Sequence, residues 1–102
     1  DTNKADLKPE SMASLVEIGK LMASDAKLNL LVVGHTDTVG SFEPNRDLSQ
    51  RRAKAVAAAL SAQHGVAATR LSSFGASFSA PIASNADEAG RAKNRRVELV
   101  AF

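Results

Sequence analysis

LNLLVVGHTDTVGSFEPNRDLSQRRAKAV, residues 28–56, holds the features that decide the fold. It opens on a short apolar run, Leu28 to Val33, bounded by polar residues and by Gly34. That length and those bounds predict a buried strand. GHTDTVG, residues 34–40, then places one histidine, one aspartate and two glycines at the strand's end. Residues 34–47, with Gly40, Pro44 and Asn45, are expected to form a loop. From Leu48 the pattern turns helical, with Asn45 or Asp47 as its expected cap. Ala53, Val56, Ala57 and Leu60 make one apolar stripe along that helix.

Outward from this unit the same reading continues. Residues 1–8 are polar and turn-like. Pro9 suits the first position of a helix, where its missing N–H costs nothing. Leu15, Ile18, Gly19 and Met22 follow at helical spacing, and the helix should end near Asp25 or Ala26. His64-Gly65 is the expected end of the second helix, with glycine in the left-handed cap. Arg70 to Phe74 reads as a second strand and residues 75–86 as a loop. Asn85-Ala86-Asp87-Glu88 resembles a capping box with Asn85 as cap, opening a short helix to about Lys93. VELVAF, residues 97–102, is the last strand. The order helix, strand, helix, strand, short helix, strand predicts an α+β fold, with helices packed on one face of a small sheet. The strand-helix-strand unit implies a parallel pair.

Composition limits the chemistry. The 102 residues suffice for one domain, spanning 1–102, with a modest core. No cysteine is present, which excludes disulfides, thiolate metal sites and cysteine nucleophiles. Net charge is +2, too mild to demand nucleic acid. Tryptophan and tyrosine are absent and only four phenylalanines occur, so platforms for stacking bases are scarce. No apolar stretch approaches the ~20 residues of a membrane helix, so this domain is not expected to insert directly into a membrane. Nucleophile elbows, phosphate loops and dinucleotide fingerprints are all missing, and no cofactor is expected.

Two residues stand apart from this background. Along the second helix Arg51 falls almost opposite the apolar stripe, whereas Arg52 borders it near the helix N-terminus. A partly buried guanidinium requires an anion. Asp37 lies in the loop leaving the C-terminal end of a strand, the edge where ligands of open α/β sheets gather. An anion and a cation held across a gap suit a zwitterion, the aspartate taking an ammonium and the arginine gripping a carboxylate. Asp37 and Arg52 pairing only with each other, or remaining solvated, stays open beside that reading. So does an enzyme acting on peptides with Asp37 or His35 as general base, although no second carboxylate accompanies them. A metal site on His35, His64 and Asp37 has little in its favour.

DTNKADL (1–7), GHTDTVG (34–40), NRDLSQRRA (45–53), RLSSFG (70–75) and GRAKNRRVEL (90–99) together resemble the OmpA-like domain family, the periplasmic peptidoglycan-binding module of Gram-negative envelope proteins. The likeness covers essentially the whole chain. It implies a β-α-β-α-β-β type of mixed sheet and a non-enzymatic role, binding the diaminopimelate of the peptidoglycan stem peptide. By resemblance Asp37 and Arg52 hold that zwitterionic end, with supporting contacts from Asn45, Leu48, Asn3, Arg95 and, through its backbone, Thr36. The implied setting is the periplasm, as part of an outer-membrane-associated or inner-membrane-anchored protein. Family members have an apolar first strand just before the segment matching residues 1–7, and most of it is absent here. The last strand, 97–102, is therefore expected to expose an edge. A second copy could pair there to give a homodimer, or Thr2 to Ala5 could cover it.

Overall fold

The computed structural model describes the backbone of residues 9–102 and the side chains from residue 15 onward. Its elements are α1 (Pro9–Ser24), β1 (Leu30–Gly34), α2 (Phe42–His64), a 3-10 turn (Ala68–Arg70), β2 (Leu71–Gly75), α3 (Glu88–Asn94) and β3 (Val97–Ala101). The expected order of helices and strands is the one observed. β1 lies at the centre of a three-stranded sheet, parallel to β2 and antiparallel to β3. Paired hydrogen bonds between Asn29 and Phe102 extend the β1–β3 ladder beyond the strands.

The core lies between this sheet and the long helix. Leu30 and Val32 of β1 alternate inward with period two. Ala53, Val56 and Leu60 meet them from α2, with Ala57 partly buried beside them, while Leu15 and Met22 of α1 join the same cluster. The stripes anticipated on both helices are therefore their buried faces. Where α2 crosses the strand ends, Gly34 and Gly75 pair across β1 and β2. A Cβ on Gly34 would lie 2.1 Å from the Ser49 carbonyl oxygen, and one on Gly75 2.6 Å from that of Arg46. Two glycines thus let the helix backbone rest directly on the sheet, at the end from which the Asp37 loop leaves.

Several boundaries differ from expectation, each for a local reason. α2 starts at Phe42 rather than Leu48, because Pro44 sits in its first turn, where no intrahelical N–H is needed. Ser41 occupies the cap position without a side-chain cap bond, so neither Asn45 nor Asp47 is the cap. Gly65 ends the helix as anticipated, at φ 68°. β2 begins at Leu71, since Arg70 closes the preceding 3-10 turn. The Arg70 guanidinium instead ties the end of α1 to β1, donating to the carbonyls of Met22, Asp25 and Leu28. α3 is capped by Asp87, whose Oδ1 accepts from the Gly90 N–H at 2.7 Å, and not by Asn85. The Asn85 side chain serves Asn94.

Candidate functional site

The site forms where three segments meet beyond the C-terminal end of β1. The first is the loop after Gly34. Its His35 N–H donates to Arg96 O, and its Thr36 N–H donates to Ser77 O, so the loop is tied to the start of β3 and to the segment after β2. The Thr36 hydroxyl turns inward and donates to the backbone oxygen of Asp37. Asp37 follows with only 3% of its surface exposed. Its Oδ1 accepts from Val39 N–H at 2.9 Å, an Asx turn that fixes the carboxylate's direction.

The second segment is the first turns of α2. Asn45 is buried, and its Nδ2 donates to Val39 O at 2.8 Å and Ser41 O at 3.0 Å, holding the far side of the loop against the helix. Leu48 is buried but does not join the main core cluster. Arg51 and Arg52 have the different fates that their spacing implied. Arg51 is exposed and pairs with Asp47 one turn earlier. Arg52 is half-buried. Burial lowers its pKa, the Arg95 charge lowers it further, and the Asp37 charge opposes both. Arg52 thus stands in the fields of Asp37 and Arg95 together.

The third segment is the junction of α3 and β3. Arg95 Nη1 donates to Asp37 Oδ2 at 2.6 Å, and its Nη2 donates to Glu88 Oε2 at 2.6 Å. Those two hydrogen bonds raise its pKa. Asp37 therefore makes its close ion pair with Arg95, brought in by the antiparallel return of β3. The contacts bring Asp37, Arg52 and Arg95 together, with Asn45 and Thr36 bound to the Asp37 loop. Leu48 is buried on α2, between Asn45 and Arg52 in sequence, and joins none of these contacts. Asn3 lies outside the described residues.

The supporting frame includes residues that motif spacing did not single out. Ser77 adopts φ 54°, an uncommon conformation for a residue other than glycine. Its N–H donates to Ser49 Oγ at 3.0 Å and its hydroxyl donates to Phe42 O at 2.8 Å, pinning the loop after β2 to α2. Asn94 is fully buried and makes four hydrogen bonds, to Ile82 N, Ala83 N, Ala83 O and Asn85 Oδ1. His35 is buried against β3. Its Nε2 is 2.7 Å from Glu98 Oε1, and its buried Nδ1 has no partner among the described residues. Burial, reinforced by the Arg96 charge and opposed by Glu98, depresses its pKa. Among the described residues no three histidine, aspartate or glutamate side chains gather as a metal-binding group. No helix among them is long and apolar enough to cross a membrane.

The model of the OmpA family matches residues 1–95, which include Thr36, Asp37, Asn45, Leu48, Arg52 and Arg95. The chain belongs to the OmpA family. This OmpA-family chain is 44% identical over 98 residues to outer membrane porin F of Pseudomonas fluorescens, covering 96% of its own length and 30% of that protein's. It is 41% identical over 96 residues to the peptidoglycan-binding protein ArfA of Mycobacterium bovis, covering 94% of its own length and 29% of that relative. It thus spans under a third of either relative. The crystal structure of the peptidoglycan-associated lipoprotein from Burkholderia pseudomallei superimposes with a TM-score of 0.93 at 32% identity, over 100% of this chain and 86% of that one. The OmpA-family fold is thereby shared across the whole sheet and its helices.

Proposed function

We propose that this domain binds peptidoglycan without cleaving it and so anchors an envelope protein to the cell wall in the periplasm. Its ligand group is the diaminopimelate of the stem peptide. The observation that carries this reading is a buried carboxylate, Asp37, set among two arginines at the strand end of an open sheet. Asp37 receives the ammonium of the zwitterion, and Arg52 receives its carboxylate through parallel N–H bonds. Arg95 orients Asp37, and Asn45 holds the loop that presents it. The name of the relative ArfA and that of the Burkholderia lipoprotein favour the same partner. A catalytic role for His35 is disfavoured by its burial and its direction toward β3.

Co-sedimentation with purified diaminopimelate-type peptidoglycan tests this. Asp37→Ala and Arg52→Ala should each lose binding, because truncating one partner of a desolvated charge pair costs about 2–5 kcal/mol. Arg51→Ala should bind as the unaltered chain does, since Arg51 is exposed and engaged with Asp47. Equal losses in Arg51→Ala and Arg52→Ala would remove the helix-face argument. The reading also includes self-association: among the described residues β3 pairs only with β1, leaving one edge for a second copy.

A further inference from the structure

The two-pronged grip of Arg95 has a consequence for the amine subsite. A carboxylate offers about four lone-pair positions. Asp37 uses one on Oδ1 for Val39 N–H and one on Oδ2 for Arg95 Nη1. An arginine facing a lone carboxylate prefers a bidentate approach, with both terminal nitrogens on the two oxygens. Arg95 does not make that approach, because its second nitrogen is held by Glu88 Oε2 at 2.6 Å. Glu88 is itself braced. Its Oε1 accepts from Arg91 Nε at 3.3 Å, and the Arg91 Nη1 donates to Asn85 O. Glu88, Arg91 and Arg95 are three and seven positions apart, so they line one face of α3 and its end.

We propose that Glu88 is a positioning residue of the ligand site, holding one prong of the Arg95 fork so that Asp37 keeps acceptor positions for a ligand ammonium. The inference rests on the peptidoglycan-binding reading above. Without Glu88, Arg95 turns both nitrogens onto Asp37, and the ammonium must compete with the protein's own cation. The Arg95 hydrogen bond draws the Glu88 pKa downward, as does the weaker one from Arg91. Glu88 is 67% exposed on its side chain, so replacing it leaves the core intact.

The test is calorimetry on the unaltered chain, Glu88→Gln, Arg95→Gln and the double variant. Each is titrated with a synthetic diaminopimelate-containing stem tripeptide, and with the same peptide acetylated on its free amine. Glu88→Gln should bind the free peptide about three- to tenfold more weakly, in the lower part of the range for a coupled pair. That loss should vanish in the Arg95→Gln background, and it should be absent for the acetylated peptide. Unchanged affinity in Glu88→Gln overturns the inference alone. So does an equal loss with and without Arg95, which would make Glu88 a direct attractor of the amine. An unaltered chain with no affinity for the free peptide overturns the binding function and this inference with it.

Discussion

Asp37 and Arg95 stand 58 positions apart and meet at 2.6 Å. Two kinds of information separate at such contacts. That Arg52 leans inward and Arg51 outward follows from helical period alone, and the exposures agree. That Arg95 reaches Asp37 depends on β3 returning antiparallel beside β1, which no local pattern states. The family resemblance supplied Arg95 as a supporting residue, and only the packed structure supplies its partners. Glu88 was legible as a helix-start residue and no more, because its hydrogen bond with Arg95 forms only in the folded chain. Asn94 is a further case: within the NRR motif its side chain serves the loop at residues 82–85 rather than the cleft. Asn94→Ala should destabilise the domain by about 2–4 kcal/mol in chemical denaturation, through several buried groups left unpaired. His35 makes a pH-dependent contribution. Its folded pKa lies below the ordinary 6.5, so from that value downward the unfolded chain binds more protons than the folded one. Stability therefore falls as pH drops through this window. Glu98, depressed below 4.5 mainly by its Arg96 hydrogen bond, adds a second loss only in stronger acid. The urea midpoint should decline between about pH 7.5 and pH 5.5, and His35→Asn should flatten that slope. An unchanged slope would place the titrating group elsewhere.

At the scale of elements, strands β1 and β3 were readable because apolar residues alternate or run continuously between polar bounds. α1 was readable from a single apolar stripe. The start of α2 was not, because a proline and an asparagine mark loops and first turns alike, and only the packing of Ser41 to Asp47 against the Asp37 loop separates them. The seating of α2 on the sheet is the feature on which the site most depends. It relies on Gly34 and Gly75, where any side chain would meet helix backbone at 2.1–2.6 Å. Backbone atoms cannot swing aside as a flexible side chain can. Gly34→Ala should therefore cost about 1–3 kcal/mol of overpacking strain in urea denaturation. It should also weaken peptidoglycan binding, by shifting the Asp37 loop relative to Arg52. Full stability with lost binding would separate the two effects and place the glycine's role in the loop alone.

At the scale of the molecule, a three-stranded sheet carries the helices, and the groups proposed to hold the ligand cluster at one end of its central strand. The side of β3 that has no strand partner among the described residues carries a separate prediction. Velocity sedimentation over a concentration series should show reversible association of this 102-residue chain, and a concentration-independent monomer would set aside pairing at that edge. The ligand's terminal carboxylate discriminates a two-point clamp from a single-point contact. Calorimetric titration with diaminopimelate-containing and lysine-containing stem peptides isolates that group, since lysine keeps the amine and lacks the carboxylate. Tighter binding of the diaminopimelate peptide, by about 1–3 kcal/mol, is the predicted result, because the lysine stem leaves the half-buried Arg52 without the ligand's carboxylate. Equal affinity for the two peptides would contradict the clamp.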